Sequence, residues 1–474
     1  MEKRCRPEFS IGGGSQNWRI DEYASQAGMN REKLRAATPP EDACFEVGPM
    51  TASARTAAAV PRQMRALVLS GVGFEHLAIQ NVPVPKAGAH QLLARVEAAG
   101  ICTSLIKLIE QGPDHKLMYG WDVRRFPLIL GDEGVVTVAE VGDALRGRYQ
   151  VGGRFVVQPA VDHAPVNYRE RYRDSARGVN KVAVGYTLSG HLAEYILIPE
   201  EVLNAGCLLP VPDDRIPFAH AAMSEPLSCV VSAQEHHVHL SQECPLSARK
   251  AANGLKRNGV TVIIGAGAMG RMHVDLAFAY QPRAIVVADT LEDRLQLVQK
   301  RFGARANKLG IALHPIHVLK TPVAKFVEDL TDHLGADDVI VAVGSRRAIE
   351  DSQCLVGRGA VLNLFGGLKK GDDIVGIDTN AIHYKEINVT GSSGGVPWDI
   401  ARTLELISKK QIDAGAHITR IGDLEHAAEF LAMVKAQQID GKAVVYPHRR
   451  TKDILVVDAW SGKDENAYLS SSEN

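Results

Sequence analysis

The sequence predicts an α/β protein in which a β-rich domain accompanies a doubly wound parallel sheet. From residue 64 the chain contains short β-branched or alternating runs bounded by Gly or Pro, which are typical of β-strands. From residue 260 strands alternate with helices, a pattern typical of a parallel sheet covered on both faces. A glycine-rich turn at the start of this second part indicates what the sheet binds.

The glycine-rich turn lies within the stretch Val260–Asp289. The stretch begins with five apolar residues typical of a buried parallel strand, followed by Gly265, Gly267 and Gly270 in G-x-G-x-x-G spacing. These glycines permit a tight turn and let a pyrophosphate approach the N-terminus of the next helix. Asp289 ends the second strand, where a carboxylate can accept the ribose hydroxyls and would repel a 2′-phosphate. The pattern therefore predicts NAD(H) rather than NADP(H).

Composition excludes several other classes of function. The 474 residues carry a formal net charge of −1, with 45% hydrophobic and 23% charged residues. Without a long basic run there is no electrostatic case for nucleic acid or an anionic membrane, and no apolar run reaches the length of a membrane span. The seven cysteines include no C-x-x-C pair. This number and spacing predict reduced thiols and a cytoplasmic protein.

Residues 1–63 are predicted to be a disordered extension. They are poor in aromatic and β-branched residues and contain Gly12–Gly14 and Pro39–Pro40, so they offer little apolar surface to bury. The acid-free stretch Thr51–Arg62 leaves a transit peptide open as an alternative, if translation began at Met50.

The remaining elements follow from periodicity and turn residues. The insert Leu240–Asn258 is predicted to be a loop, and the tail Asp453–Asn474 to hold one short strand and then fray. The elements predicted between them are helix Leu291–Phe302, strand Asp338–Val343, helix Ala348–Leu355, strands Ala360–Phe365 and Ile387–Thr390, helices Ile400–Lys409 and Leu424–Gln437, and strand Ala443–Tyr446.

Three short segments carry a family resemblance: GICTS at Gly100–Ser104, GDEG at Gly131–Gly134 and SEPLS at Ser224–Ser228. At these residues the chain resembles the zinc-containing medium-chain dehydrogenase/reductase family, in its branch of sorbitol dehydrogenases and L-sorbose 1-phosphate reductases. The resemblance extends over residues 64–448 and includes GKAVVYP at Gly441–Pro447. It implies a GroES-like catalytic domain at 64–230 and 396–474, a Rossmann domain at 231–395, and an active site in the cleft between them.

The resemblance also implies a catalytic zinc, held by Cys102, Glu133 and Glu225 with one open position. Ser104 matches the hydroxyl that passes on the alcohol proton. At Asp132, however, the family has histidine. Aspartate can ligate zinc, but it adds negative charge and weakens the acidification of a bound alcohol. Three interpretations stay open: zinc with acidic ligands, a harder metal, or loss of both metal and redox activity.

The cofactor site follows from the same resemblance and from the glycine-rich turn. No structural zinc is expected, because Ala160–Ser189 lacks the four cysteines that many relatives have. The predicted cofactor-binding residues are Gly265, Gly267, Met269, Gly270, Asp289, Arg294, Val343, Gly344, Phe365 and Gly366.

Two further patterns are weighed against simpler explanations. His237 and His239 form a His-x-His pair near a predicted helix end, with no cysteine or carboxylate pattern beside them, which favours interaction with the helix dipole over metal binding. Lys116, Arg124 and Arg125 border the expected substrate cleft. They suit a phosphorylated substrate and an exposed loop equally well.

The sequence therefore predicts an oxidoreductase that uses NAD(H) and zinc and interconverts a secondary alcohol and a ketone. Its substrate would be a small molecule, namely a polyol, a ketose or a sugar phosphate, and the resemblance implies a homodimer or homotetramer. Two alternatives remain. One is a zinc-independent quinone or enoyl reductase, and the other is a nucleotide-binding protein whose metal site has decayed.

Overall fold

The computed structural model describes residues 59–369 and 371–471, so nearly all of the predicted extension at residues 1–63 lies outside the described residues. In the described ranges no helix is long and apolar enough to cross a membrane. The strands are β1 Gln63–Leu69, β2 Leu77–Pro83, β3 Leu92–Gly100, β4 Leu128–Ile129, β5 Glu133–Val141, β6 Arg154–Val157, β7 Ala160–Asp162, β8 Lys181–Ala183, β9 Tyr195–Ile198, β10 Leu208–Pro210, β11 Val238–Ser241, β12 Lys250–Asn253, β13 Val260–Ile264, β14 Ala284–Asp289, β15 Ala312–His317, β16 Ala336–Val341, β17 Val356–Leu364, β18 Asn388–Gly391, β19 Ile418–Asp423, β20 Lys442–Tyr446 and β21 Leu455–Val456. The helices are α1 Ser104–Gln111, α2 Glu200–Asn204, α3 Phe218–Ala222, α4 Ser224–Glu235, α5 Ala268–Tyr280, α6 Glu292–Leu309, α7 Val323–Leu330, α8 Arg346–Ser352, α9 Thr379–Lys385, α10 Pro397–Ser408, α11 Ala427–Lys435 and α12 Gly462–Ser470.

The second part of the chain forms a six-stranded sheet in the order β15-β14-β13-β16-β17-β18, with every pairing parallel. The central strand β13 is buried over its first four residues, as its apolar sequence predicts. The order reverses between β14 and β16, on either side of β13. Sheets of this kind bind ligands at the carboxyl ends of the strands at such a reversal. The predicted doubly wound parallel sheet is confirmed.

The first part of the chain forms a mostly antiparallel sheet in the order β10-β6-β5-β3-β20-β19-β21, in which β9 also pairs with β3. A second, smaller sheet has the order β2-β1-β4. Strand β20 comes from the end of the chain and pairs with β3 through Val444 and Gly100. The last part of the chain thus completes the β-rich sheet, as the fold prediction requires. The proposed domain boundaries themselves stay a prediction.

Two predicted irregular segments are ordered in the structure. The tail was predicted to fray, which is wrong: after β21 it forms α12, where the buried Glu465 accepts hydrogen bonds from the backbone N–H groups of Phe218 and Ala219 at 2.7 and 2.8 Å. The insert Leu240–Asn258 was predicted to be a loop, but it contains β12 and part of β11, which form an antiparallel hairpin. Both segments are polar, so they lack the periodic apolar residues from which helices and strands are predicted.

Candidate active site and dinucleotide site

Cys102 lies in the short turn between β3 and α1. Gly100 ends the strand and Ser104 begins the helix, so the cysteine follows the strand almost directly. The backbone N–H of Ser104 lies 3.5 Å from the Cys102 sulfur, and the Ser104 hydroxyl lies 3.0 Å from the same atom. This turn therefore holds a hydroxyl group against the thiol.

Asp132 and Glu133 lie where the chain turns from β4 into β5. Gly131 has a φ of +110° and its missing side chain leaves room for a neighbouring backbone, so the tight turn requires glycine. Glu133 pairs in register with Gly100, which brings this turn beside the turn of Cys102. The Cys102 sulfur and one carboxylate oxygen each from Asp132 and Glu133 lie within 4.8 Å of one another.

The donor atoms of this group fit a bound zinc ion. The Ser104 hydroxyl donates to Asp132 Oδ2 at 2.6 Å, and Lys442 donates to Glu133 Oε1. The other two carboxylate oxygens, Asp132 Oδ1 and Glu133 Oε2, are buried and have no hydrogen-bond partner among the described residues. A buried carboxylate oxygen without a partner is costly, and zinc accepts both sulfur and carboxylate ligands. Because the set includes a thiol, it suits zinc better than a hard cation such as Mg²⁺.

The charges of this group point the same way. Burial and the carboxylates of Asp132 and Glu133 raise the pKa of Cys102 well above its ordinary value. Burial and Glu133 also raise the pKa of Asp132 to about 6, although hydrogen bonding and a nearby lysine oppose the shift. The raised pKa values show that ionising these groups is unfavourable in their buried and acidic surroundings, and a divalent cation bound there would favour the ionised forms.

Glu225 lies close to the other three predicted ligands but is not grouped with them. It is in the first turn of α4 and is 7% exposed. Burial and the charges of Glu133 and Asp132 raise its pKa well above the ordinary value. Its carboxylate is nevertheless absent from the group of ligand atoms within 4.8 Å, and its Oε1 lies 3.9 Å from the sulfur of Cys229. The metal-binding roles of all four residues stay predictions.

The glycine-rich turn connects β13 to α5 in the way the sequence predicts. Gly265 has a φ of +105°, a conformation that favours glycine. A Cβ at Gly270 would overlap the carbonyl oxygen of Gly265, so the close contact of helix and strand excludes a side chain there. At Gly267 an added Cβ would meet nothing nearer than Arg294 Nη1, at 3.9 Å. Open space beside Gly267 is what a pyrophosphate would need.

Asp289 ends β14 next to this turn. Its Oδ2 accepts the backbone N–H of Ala266 at 2.7 Å, and its Oδ1 accepts the backbone N–H of Leu291 at 2.9 Å. These bonds fix the carboxylate at the carboxyl end of the sheet. Arg294 lies beside it, with Nη1 3.9 Å from Asp289 Oδ2.

The other predicted cofactor residues lie along the same edge of the sheet. Val343 and Gly344 follow β16, and Phe365 and Gly366 follow β17. The N–H of Gly366 donates to Val341 O at 2.8 Å, which holds the two strand ends together. Met269 lies in the first turn of α5, partly buried. Their cofactor-binding roles are likewise untested.

Two residues beside the candidate metal group were not predicted. Lys442 begins β20 and forms a buried ion pair with Glu133. Tyr186 follows β8 and is 5% exposed, and burial and the charge of Asp132 raise its pKa. The sequence does contain a signal for Lys442, which is its position in the GKAVVYP motif, because a charged residue at the start of an apolar strand is unusual. Nothing in the local sequence distinguishes Tyr186.

Known proteins resemble this chain in both parts. Residues 88–213 match the family model described as the alcohol dehydrogenase GroES-like domain, and residues 268–409 match the model described as zinc-binding dehydrogenase. Together the two ranges span more than half of the chain.

Curated relatives match over most of their length. The mannitol-1-phosphate 5-dehydrogenase of Aliivibrio fischeri is 29% identical, across 79% of this chain and 85% of that protein. The L-sorbose 1-phosphate reductase of Klebsiella pneumoniae is 27% identical, across 79% of this chain and 86% of that protein.

Solved structures share the fold. The galactitol-1-phosphate dehydrogenase of Escherichia coli superposes with a TM-score of 0.63 at 17% identity, across 81% of this chain and all of that one. These findings agree with one another: two family models match in the expected order, the relatives are matched over most of their length, and the fold is shared. The chain therefore belongs to the zinc-type medium-chain alcohol dehydrogenase family, and it is an oxidoreductase.

Proposed function

We propose that this protein is an NAD(H)- and zinc-dependent oxidoreductase that interconverts a secondary alcohol and a ketone on a polyol, a ketose or a sugar phosphate. The observation that carries the proposal is the group of the partly buried Cys102 and the buried Asp132 and Glu133, whose ligand atoms lie within 4.8 Å of one another. The glycine-rich turn at the carboxyl edge of the parallel sheet supports the dinucleotide. The names of the relatives, which include a mannitol-1-phosphate dehydrogenase and a D-arabitol-phosphate dehydrogenase, support the substrate class.

Cys102, Asp132 and Glu133 would hold the metal, and Glu225, which the family resemblance implies as a ligand, would be a further one. A bound zinc supplies Lewis-acid polarisation of the substrate oxygen, and nicotinamide exchanges the hydride. Lys442 holds Glu133 in place by donating to its Oε1 at 2.5 Å. Asp132 Oδ1 and Glu133 Oε2, which no described residue engages in a hydrogen bond, remain available as ligands.

Ser104 is the residue that we propose moves the alcohol proton. Its hydroxyl lies 2.6 Å from Asp132 Oδ2 and 3.0 Å from the Cys102 sulfur. A hydroxyl in this position can accept the proton of a substrate alcohol while it donates its own to a neighbouring acceptor.

Asp289 is the residue that we propose selects NAD(H). Its carboxylate is fixed beside the glycine-rich turn by two backbone N–H groups, and a negative charge there disfavours the 2′-phosphate of NADP(H). Neighbouring structures at 19% and 22% identity were solved with NADH and with NADP, respectively, so the fold accommodates both cofactors and the choice depends on local residues.

Two lysines favour a phosphorylated substrate. Burial lowers the pKa of His115, and the charges of Lys116 and Lys107 lower it further, so both cations lie near its ring. That ring contacts Tyr186 at 5.4 Å between centroids, and Tyr186 lies beside Asp132. Exposed cations beside His115 suit the phosphate end of a short sugar phosphate.

An NADH-oxidation assay with matched substrates tests the proposal. We expect L-sorbose 1-phosphate and fructose 6-phosphate to be reduced with a kcat/KM roughly 10- to 100-fold above that of L-sorbose and fructose, the size of about 1.5–3 kcal/mol from hydrogen bonds to a charged group. Lys116→Met should raise KM for the phosphorylated substrates alone, whereas Lys463→Met, an exposed lysine on α12, should not. Full activity of protein stripped of metal would reject the zinc mechanism. Failure to reduce either ketoses or their phosphates would reject the substrate class.

The two alternative functions are not favoured. A zinc-independent reductase does not account for a thiol and two unpartnered carboxylate oxygens brought into one group. Several curated relatives are named as enzymes that act on a polyol or a sugar phosphate, among them a mannitol-1-phosphate 5-dehydrogenase, an L-sorbose 1-phosphate reductase and a sorbitol dehydrogenase, which does not favour a protein without turnover.

We also propose that the protein is a cytoplasmic homodimer or homotetramer. Strand β18 is the outer strand of the parallel sheet, and it carries the exposed Val389, with the exposed Trp398 shortly after it. An exposed edge strand of this kind has unpaired backbone groups and suits pairing with a second copy. The exposed free thiols Cys244 and Cys354 suit a reducing compartment. Light scattering of the wild type and of Val389→Lys tests the oligomeric state, and cell fractionation tests the cytoplasmic location.

A further inference from the structure

His237, His239 and Asp338 meet in the second part of the molecule, although the aspartate is 101 positions from His237. His237 directly precedes β11, His239 lies on it, and Asp338 lies on β16. His237 Nδ1 and His239 Nε2 both point to Asp338 Oδ1, at 2.6 and 2.8 Å. The His-x-His pair, which has no carboxylate pattern beside it in the sequence, therefore has a carboxylate partner in the structure.

This cluster is separate from the active site and from the dinucleotide turn. Asp338 lies in the first half of β16, in register with Thr261 at the start of β13. The glycine-rich turn and Asp289 lie at the other, carboxyl end of these parallel strands. The proposed catalytic chemistry therefore leaves the cluster without a role.

The Asp338 carboxylate is oriented so that one oxygen serves both histidines. Its Oδ2 accepts the backbone N–H of Lys256 at 2.9 Å, while the Lys256 ammonium group pairs with Asp337. A hydrogen bond to the second carboxylate oxygen is the support commonly found around a metal-ligating carboxylate. Oδ1 is thereby directed to the two imidazoles.

The cluster also has the burial of a cation site. His237 and Asp338 are fully buried, and the side chain of His239 is 12% exposed. The ligand atoms of the three residues lie within 4.8 Å of one another. Two imidazoles and a carboxylate that face one another in the interior are donor groups that a divalent cation can bridge.

We propose that His237, His239 and Asp338 bind a zinc-class divalent cation that fastens the β11–β12 hairpin to the parallel sheet. Two imidazoles and one carboxylate suit zinc better than calcium or magnesium. Tetrahedral ligands at zinc distances lie about 3.3 Å apart, so the three donor atoms need to separate by roughly half an ångström. His237 directly precedes the hairpin and His239 lies on its first strand, so one shift of this segment moves both nitrogens away from Asp338, and a water can take the fourth position.

The hairpin is a segment that needs such a fastening. Strands β11 and β12 form a two-stranded sheet of their own, and all four residues of β12 are exposed. An isolated two-stranded hairpin is marginally stable in water. A metal ion between its first strand and β16 would hold it in place.

Zinc content per chain tests the proposal. Protein stripped with a chelator, reloaded with zinc and desalted is expected to hold two zinc ions per chain by mass spectrometry. His239→Ala should hold one and keep its dehydrogenase activity, Cys102→Ser should hold one, and the double variant none. His236→Ala is the matched control, since His236 is exposed, adjacent and outside the cluster. It should still hold two.

Thermal unfolding gives a second measurement that does not depend on activity. In the Cys102→Ser background zinc should raise the unfolding midpoint by roughly 5 °C at a concentration 100 times Kd, and His239→Gln should abolish this shift. If the wild type holds one zinc, Cys102→Ser holds none, and zinc leaves the midpoint of that variant unchanged, the cluster is a hydrogen-bonded contact and the proposal is rejected. That result would leave the proposed catalytic zinc intact.

Discussion

The ammonium group of Lys442 lies 2.5 Å from Glu133 Oε1 and 2.9 Å from the carbonyl oxygen of Ile101, and both contacts are buried. Burial alone would lower the pKa of Lys442, but Glu133 and Cys102 raise it above its ordinary value. The lysine therefore remains charged. A residue from the last part of the chain thus supplies positive charge to a group of acids contributed by the first part.

Replacing this lysine should destabilise the protein strongly. Lys442→Met leaves Glu133 buried without its ion-pair partner, a change that typically costs about 3–5 kcal/mol. We expect a clearly lower midpoint of thermal unfolding, whereas Lys452→Met, at an exposed position, should leave it unchanged. A decrease in the free energy of unfolding of less than about 1 kcal/mol, the contribution of an exposed ion pair, would show that the buried pair contributes little.

Asp132 is expected to be a working metal ligand rather than the remnant of a lost site. Asp132→Asn keeps the contact with Ser104 but removes the charge, so the affinity for zinc should fall by about ten- to a hundredfold. Asp132→His, which restores the residue of the family, should also weaken binding, because the surrounding structure is built for a shorter side chain. Competition with a chromogenic chelator measures both affinities. Tighter binding and higher activity in the histidine variant would indicate a degraded site instead.

Ser104 should affect turnover without affecting metal content. Its hydroxyl contacts both Asp132 and Cys102, yet it is not a proposed ligand. Removing a proton-transfer group typically costs 10²- to 10⁴-fold in rate, so Ser104→Ala should lower kcat by about that range, and Ser104→Thr should recover part of it. Steady-state kinetics and zinc analysis of the same preparations separate the two effects. Loss of zinc in the alanine variant would make Ser104 a residue that supports the metal group and not a proton carrier.

The sequence predicts those parts of the structure whose causes are local. The apolar run at Val260–Ile264 coincides with β13, because a buried parallel strand needs a continuous apolar sequence. The resemblance also predicted that Cys102, Asp132 and Glu133 come together, since it carries information about the whole fold.

Other features depend on partners that are distant in the chain. Lys442 and Glu133 are 309 positions apart, and Glu465 is 247 positions from Phe218. The polar sequence of the tail does not by itself predict that α12 is ordered. The helix is held by hydrogen bonds that Glu465 accepts from backbone N–H groups of a distant segment. In the same way, the His-x-His pair shows a carboxylate partner only after β16 has been placed beside the hairpin.

The glycines of the dinucleotide turn should respond differently to the same substitution. Gly267→Ala meets no atom nearer than 3.9 Å, so its stability should match the wild type while its Kd for NADH rises at least tenfold, because the Cβ occupies space needed by the pyrophosphate. Gly270→Ala would overlap a carbonyl oxygen and should cost about 1–3 kcal/mol of stability. Gly147→Ala, with nothing within 4 Å, is the control. Unchanged NADH binding in Gly267→Ala, measured by calorimetry, would place the pyrophosphate elsewhere.

Stability should fall in mild acid, in part because of His448. The ring is bonded at Nε2 to the Glu194 carbonyl oxygen at 2.8 Å. Burial and the nearby Arg95 lower its pKa to about 3, although this bond opposes the shift. In the unfolded chain the pKa of histidine is about 6.5. Between these two values the unfolded state binds a proton that the native state does not, so stability is lost as pH falls below about 6.5.

The size of this effect can be isolated with one substitution. From pH 7.5 to pH 5 the contribution of His448 amounts to about 2 kcal/mol. His448→Gln keeps a donor for the Glu194 carbonyl but cannot titrate, so its unfolding free energy should fall by about 2 kcal/mol less than that of the wild type over this range. Denaturant titrations at the two pH values measure the difference, and His90→Gln, at an exposed position, should behave as the wild type does. Equal losses in His448→Gln and the wild type would mean that the folded protein already binds a proton at His448, because the two losses differ only if the ring stays neutral in the folded state.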